Sequence, residues 1–351
     1  MSSVNSGSAA VALAEEALPT LDAAVLMPAP LPATPRERPL AIGDVHPTPL
    51  LAVSGLCKRF GDQAVVRDVS FDVEAGEVFA FLGQNGAGKT TTIKMCVGLL
   101  SPDAGRIRIG GLDPHKTRGA GNAIGALLEG NRNIYWRMTP LENLRYFGVL
   151  KGMSIAEATT QGRALLERFG LSGKSRQQVH QLSRGMMQKL AIAVAILNRP
   201  RVLFLDEPTL GLDVGSVAQM LEIIRALAAE GTAIVLTTHQ LDIAETLSDR
   251  VAIIHHGRIV KTARTQALTR EYSPFGYEIH LAQALDEETR LRIEGGFDAR
   301  VDGDKVYLPD EGELLYEVLQ ALRPAAVEYV GRRKTDLTEI FLRLTGEQND
   351  A

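Results

Sequence analysis

Eight consecutive residues, Gly83-Gln84-Asn85-Gly86-Ala87-Gly88-Lys89-Thr90, limit what this chain can fold into more than any other feature. The apolar run Val78-Phe79-Ala80-Phe81-Leu82 leads into them as a short strand, and Thr90-Thr91-Thr92-Ile93-Lys94-Met95 leads out as a helix. A strand, glycine-rich loop and helix in that order form a cradle for phosphate. Glycines lacking Cβ atoms let consecutive backbone N–H groups turn inward, and the helix N-terminus adds partial positive charge at the same point. Such a loop implies a nucleoside triphosphate. Its contacts come from Gly83, Gln84, Asn85, Gly86, Ala87 and Gly88, with Lys89 reaching the β- and γ-phosphates and Thr90, followed by Thr91, placing a hydroxyl on the accompanying magnesium.

The 351 residues suffice for two domains and a loose end. A net charge of -4 provides no general basic surface, so nucleic acid is not an expected partner. The two cysteines, Cys57 and Cys96, form no CxxC pair, which argues against a disulfide framework or a zinc site. No apolar run approaches the roughly 18 residues of a membrane-spanning helix. Residues 1–48 carry Glu15, Glu16 and Asp22 and are broken by prolines from Pro19 to Pro49, unlike a secretory signal, and read as a flexible extension.

From Leu50 to about Ile109, short alternating stretches (Val69, Phe71, Val73; Ile107, Ile109) predict an antiparallel sheet beside the nucleotide. From about 129 to 182 the pattern is helical. Thr139-Pro140-Leu141-Glu142 is a capping box, and a second helix runs from about Ile155 to near Gly170. Ser183 then begins a helix ending before Pro200. Arg201-Val202-Leu203-Phe204-Leu205-Asp206-Glu207 follows as a strand buried on both faces with an acidic end, and Ala233-Ile234-Val235-Leu236 delivers Thr238 and His239 in the same way. Strands, intervening helices and polar carboxyl ends mean an α/β nucleotide-binding fold.

Taken together, residues from about 50 to 260 resemble the ATP-binding subunit of the ABC (ATP-binding cassette) transporters, six motifs falling in that family's order. Lys58-Arg59-Phe60-Gly61 looks like its aromatic loop, with Phe60 stacking on adenine. The phosphate loop follows. Ile124-Gly125-Ala126-Leu127-Leu128-Glu129 stands at the glutamine loop, Leu182-Ser183-Arg184-Gly185-Met186 at the signature, Asp206-Glu207-Pro208 at the Walker B end, Gly211-Leu212-Asp213 at the D-loop and His239 at the switch histidine. The resemblance implies a P-loop ATPase fold: a RecA-like parallel sheet, an antiparallel β subdomain and an inserted helical subdomain.

It also implies roles. Asp206 holds Mg²⁺ together with Thr90 and Glu129, while Glu207 polarises the attacking water and His239 assists it. Ser183 and Gly185 close over the γ-phosphate of ATP held by a second subunit, and Asp213 of the D-loop is a further nucleotide-binding residue. Each motif occurs once, so the chain is expected to pair with itself or with a homologue around two ATP molecules. Two departures stand out: Glu129 replaces a glutamine and cannot donate an amide proton, and Arg184 and Met186 replace the glycine and glutamine of the signature.

His255-His256-Gly257 reads as the turn of a hairpin rather than a metal pair. Beyond about 270, Tyr277, Ile279, Leu281, Val306 and Leu308 alternate, and helices are expected around Leu314–Leu322 and Leu337–Leu344, a small α+β appendage. The domains expected are thus 1–48, 49–268 with its helical subdomain at about 129–182, and 269–351. The ending Asp336-Leu337-Thr338-Glu339-Ile340-Phe341-Leu342 resembles the tail of ATPases serving bacterial multidrug, polysaccharide or antibiotic exporters. The resemblance implies an ATPase on the cytoplasmic face of the membrane, peripheral through a separate permease, whose cytoplasmic helix is expected in the groove between the helical block and the core near Glu129 to Trp136, with Tyr135 and Trp136 as anchors. The alternative is a soluble ABC ATPase with no part in transport.

Overall fold

A computed structural model describes residues 49–117, 119–128, 134–272, 276–309, 311–333 and 336–346. The expected extension 1–48 and the candidate Glu129 lie outside the described residues.

Three sheets organise the chain. The first is antiparallel, in the order β2-β1-β4, from β1 (Leu51–Phe60), β2 (Gln63–Val73) and β4 (Ala104–Ile109). The second has six strands: β5 (Ile124–Leu127), β6 (Val202–Asp206), β7 (Ala233–Thr238), β3 (Val78–Leu82), β8 (Arg250–His255) and β9 (Arg258–Arg264). The first five are parallel and β9 closes the edge antiparallel to β8. β3, β6 and β7 are buried throughout, which explains their unbroken apolar runs: both faces are covered, so no alternation survives. Because the five strands run the same way, the residues following β3, β6 and β7 emerge on one edge, where parallel sheets hold ligands.

The two sheets share one core. Phe71 of β2 stacks on Phe79 of β3 at 5.3 Å between ring centres and meets Phe81 edge-on at 4.8 Å. Burying each such ring stabilises by about 1.5–3 kcal/mol, and paired rings add about 0.5–1.5 kcal/mol.

Helix α1 (Lys89–Cys96) leaves the glycine-rich loop. α2 (Pro140–Leu150) and α3 (Ile155–Arg168) each begin with a complete capping box, Thr139/Glu142 as expected from sequence and Ser154/Glu157 besides. Gly148 and Ala158 touch where the two helices cross: a Cβ on Gly148 would stand 2.6 Å from that of Ala158. α4 (Arg184–Ile196) is capped by Ser183, and α5 (Val214–Ala229) by Asp213. α6 (Leu241–Leu247) and α7 (Thr265–Glu271) complete this part.

The third sheet, in the order β11-β12-β10-β13, joins β10 (Tyr277–Leu281), β11 (Arg300–Asp302), β12 (Lys305–Leu308) and β13 (Val327–Arg332). Helices α8 (Glu287–Gly296) and α9 (Gly312–Ala321) close a separate core around Ile279, Ile293, Val306, Val318 and Leu322. β10, β12, α9 and the final helix α10 (Leu337–Thr345) fall where the sequence predicts them; α8, β11 and β13 add to that reading. α10 packs on α6, and Leu337 N donates to Glu245 Oε2 at 3.3 Å.

Candidate functional site

The loop between β3 and α1 holds glycine at positions that a side chain would strain or block. Gly86 and Gly88 have φ of 84° and 104°, and a Cβ on Gly88 would stand 2.7 Å from the Val65 carbonyl. A Cβ on Gly83 would meet the Ile254 carbonyl at 2.5 Å. The cradle is therefore pressed on two sides by backbone. Gly257, in the turn formed by His256 and Gly257, donates its N–H to Ala87 O at 3.1 Å and accepts from Arg67 N at 2.7 Å, so this turn ties the phosphate loop to β2. Of the paired histidines only His256, in the left-handed region at φ 46°, is a turn residue, whereas His255 ends β8 and pairs with Arg258 of β9.

Lys89 is buried and its ammonium folds back onto the loop, donating to the carbonyls of Gly83 and, at 3.1 Å, of Gln84. Thr90 Oγ1 donates to Asp206 Oδ1 at 3.2 Å, and Thr237 Oγ1 donates to the same oxygen at 2.5 Å. Asp206 is 2% exposed, yet its Oδ2 has no hydrogen-bond partner, and neither does Glu207 Oε2. Buried acceptors are satisfied as a rule, and a carboxylate oxygen left bare costs more than a neutral one. Two unfilled acceptors beside a threonine hydroxyl form a hard oxygen donor set that fits a divalent cation with its waters.

Glu207 holds a left-handed conformation at φ 51°, which costs a side-chain-bearing residue about 1–2 kcal/mol. Its N–H donates to Thr237 O at 3.1 Å, and its Oε1 lies 2.9 Å from His239 Nδ1. The strained backbone turns the carboxyl toward β7 instead of along β6.

Ser183 caps α4, accepting from Met186 N at 3.3 Å, and stays exposed. Gly185 is buried against Ser216: a Cβ there would approach Ser216 Oγ to 2.6 Å. Asp213 accepts from the Ser216 hydroxyl at 2.7 Å and from Ser216 N at 2.9 Å, which in that order hold the Asp213 carboxyl below the ordinary carboxylate range. The Arg184 guanidinium lies on Gly211, where a Cβ would overlap it. The α4 N-terminus and the segment 211–216 are thus one surface. Phe60, at the tip of the β1–β2 hairpin, is 51% exposed with Lys58 Nζ 5.7 Å from its ring centre.

Three contributors escaped the sequence reading. Thr237 joins Asp206 and Glu207 only because β6 and β7 pair with Asp206 opposite it. Gln188, buried on α4, donates to Pro208 O at 3.0 Å and ties the signature helix to the turn after Glu207. Val65 shapes the phosphate loop through its carbonyl, an atom every residue carries. The periodicity of a single segment signals none of these.

A parallel sheet with a glycine-rich loop after one strand, paired carboxylates at the end of a second and a histidine after a third, which lies between them, defines a P-loop nucleotide-binding ATPase. Residues 66–210 match the model of the ABC transporter family. The Nod factor export ATP-binding protein I of Burkholderia lata is 38% identical over 83% of this chain and 95% of its own length. The daunorubicin/doxorubicin resistance ATP-binding protein DrrA of Streptomyces peucetius is 35% identical over 88% of this chain and 96% of its own. Among solved structures, an ATP-binding subunit of an ABC transporter is 34% identical, with a TM-score of 0.58 over 64% of this chain and 93% of that one. This chain belongs to the ABC transporter ATP-binding proteins. It binds ATP and hydrolyses it in a cycle coupled to transport. Subunits of this kind work with membrane permeases and dimerise, and no helix among the described residues is long and apolar enough to cross a membrane.

Proposed function

We propose that this chain powers export through a separate permease on the cytoplasmic face of the membrane, with each ATP clasped between two copies of the chain or between it and a homologue. The relatives named for Nod factor export and daunorubicin resistance support export over a role outside transport. On this reading residues 49–268 are the ATPase, 269–351 an accessory domain and 1–48 an extension.

Gly83 to Thr91 hold the triphosphate, and Lys89 turns from the carbonyls of Gly83 and Gln84 to the β- and γ-phosphates. Thr90 and Asp206 hold Mg²⁺, with Glu129 the candidate for a further oxygen. The metal, when bound, neutralises charge on the phosphate oxygens. Glu207 accepts the proton of the attacking water, and His239 donates to its Oε1 and keeps the carboxylate aimed. The exposed ring of Phe60 stacks on the base. Ser183, Gly185 and Asp213 meet the triphosphate of the other copy, with the N-terminus of α4 supplying partial positive charge. Loss of the γ-phosphate removes what the two copies share, and they part.

One observation carries the reading: the buried oxygens Asp206 Oδ2 and Glu207 Oε2, without partners, at the end of the strand beside the phosphate loop. Complementation tests the shared site. Lys89→Ala spoils one half and Ser183→Asp, which keeps the helix cap but adds a repelling charge, spoils the other. Each is expected to be inactive alone, whereas a mixture regains about a quarter of normal turnover through hybrid pairs with one intact site. A mixture as inactive as its components sinks the shared site.

A further inference from the structure

Past the end of the sheet the chain leaves β6 and β7 in two separate turns, and whatever joins those turns decides where Glu207 and His239 stand. The last paired residues are Asp206 and Thr237, and the last backbone bond across is Glu207 N to Thr237 O at 3.1 Å. Beyond it the first turn closes on itself, Leu210 N donating to Glu207 O and Leu212 N to Thr209 O, both at 3.2 Å. The second runs into α6, where Ala244 N donates to Gln240 O at 3.3 Å. No further backbone hydrogen bond joins the two turns among the described residues. Two side-chain bonds span them instead. One is the contact of Glu207 Oε1 with His239 Nδ1; in the other, Thr209 Oγ1 donates to Gln240 Oε1 at 2.8 Å.

This second bond is anchored at both ends. Thr209 is 1% exposed, so its hydroxyl has no water to turn to, and buried hydroxyls are paired as a rule. Gln240 is fixed through its backbone, its N–H donating to Oγ1 of the fully buried Thr238 at 2.9 Å. His239 thus lies between two held neighbours while its own side chain is 45% exposed. Its imidazole is placed by those neighbours more than by packing around the ring. Glu207 is bracketed in the same way: Thr237 O takes its N–H, Gln188 holds Pro208 O at 3.0 Å, and Thr209 comes next.

We propose that Thr209 and Gln240 are positioning residues for ATP hydrolysis, their bond a second rung beside the Glu207–His239 pair that sets the separation of the two turns. This role rests on Glu207 as the base. Without the rung, the turn after β7 swings freely from Thr238, and the imidazole no longer keeps the Glu207 carboxylate aimed. Misplacing a reacting group by about 1 Å costs on the order of 10²-fold in rate. Neither side chain forms a hydrogen bond to Gly83–Thr90, so ATP affinity does not depend on the rung.

Steady-state phosphate release by the full chain, alongside calorimetric affinity for a non-hydrolysable ATP analogue, tests it. Thr209→Val keeps the branched shape and removes the donor, and Gln240→Leu removes the acceptor. Each is expected to lower kcat by about 10- to 100-fold while affinity stays within about twofold. The double variant falls no further than either, because all three lose the same bond. Thr209→Ser keeps the hydroxyl and recovers most of the rate. The Glu207→Gln background separates positioning from stability: with the carboxylate gone, adding Thr209→Val changes the residual turnover by less than about twofold. A normal kcat in either single variant, losses that add in the double variant, no recovery in Thr209→Ser, or an undiminished effect of Thr209→Val beside Glu207→Gln each overturns the assignment. Glu207 as the base is decided by the turnover of Glu207→Gln alone, so the two assignments fail separately.

Discussion

His239 Nδ1 stands 2.9 Å from Glu207 Oε1, although 32 residues separate them and they follow different strands. Parallel pairing of β6 with β7 brings them to one edge, and the left-handed backbone of Glu207 swings its carboxyl across. The other oxygen, Oε2, is buried and bare. Glu207→Gln is therefore expected to lower steady-state phosphate release by about 10²- to 10⁴-fold while leaving ATP affinity intact by calorimetry. Normal turnover in this variant removes Glu207 as the base.

Gly88 and Gly86 allow a graded test of the phosphate loop. Both require positive φ, but a Cβ on Gly88 meets the Val65 carbonyl at 2.7 Å while one on Gly86 meets nothing within 4 Å. Gly86→Ala should cost only the backbone term, about 1–2 kcal/mol, and Gly88→Ala that plus displacement of β2. Thermal unfolding and ATP titration should rank Gly88→Ala well below Gly86→Ala in both stability and affinity, the affinity falling by at least about tenfold. Equal effects indicate a loop that is not braced by Val65.

These loops mark where sequence stops being informative. β3, β6 and β7 were readable because burial on both faces leaves unbroken apolar runs, and the start of α2 because Thr139 and Glu142 announce a cap. The catalytic edge was readable because glycines, a lysine and paired carboxylates are rare in that order. The braces were not: Val65 acts through its carbonyl and Thr237 through a strand register that depends on distant residues. α8 escaped because Glu287–Gly296 has few apolar residues and ends in two glycines, and β13 because Gly331 and two charges break its alternation.

Acid should loosen the caps in a definite direction. Glu142 is held below its ordinary value by the N–H and then the hydroxyl of Thr139, and Glu157 by the hydroxyl and then the N–H of Ser154. Asp286 is lowered by the N–H and hydroxyl of Thr289. Each carboxylate has a folded-state pKa depressed below the unfolded one. The stability it contributes is complete above the unfolded value, about 4, and is lost as pH falls through the folded value. Melting curves from pH 6 to pH 2.5 should show a midpoint that drops below about pH 4, less steeply in Glu142→Gln/Glu157→Gln. An unchanged slope in that variant means the boxes do not contribute.

Cys96 lies fully buried on α1, and burial pushes its thiol up, so both access and thiolate are denied to a reagent. A maleimide or aromatic disulfide at pH 8 should label Cys96 at least about 100-fold more slowly in the folded chain than in denaturant, through transient opening alone. A Cys57→Ser background isolates the signal. Fast labelling in that background means that α1 opens readily behind the phosphate loop.

The surface proposed for the permease has a rigid backbone beneath exposed side chains. The fully buried Asn143 side chain accepts from Tyr135 N at 2.7 Å and donates to Tyr135 O at 3.1 Å, and His180 N donates to Trp136 O at 3.1 Å. The rings of Tyr135, Tyr146 and Phe147 pack together beside Trp136, which is 56% exposed, and Val149 and Leu150 extend the apolar patch along α2. Truncating Trp136 leaves the backbone hydrogen bonds in place, so Trp136→Ala should keep the isolated chain's ATPase rate within about twofold. A buried aromatic anchor is worth about 2 kcal/mol or more, so affinity for the permease in detergent should fall by on the order of 30-fold, with transport falling alongside. Binding and transport that survive both this change and Tyr135→Ala place the permease elsewhere on the molecule.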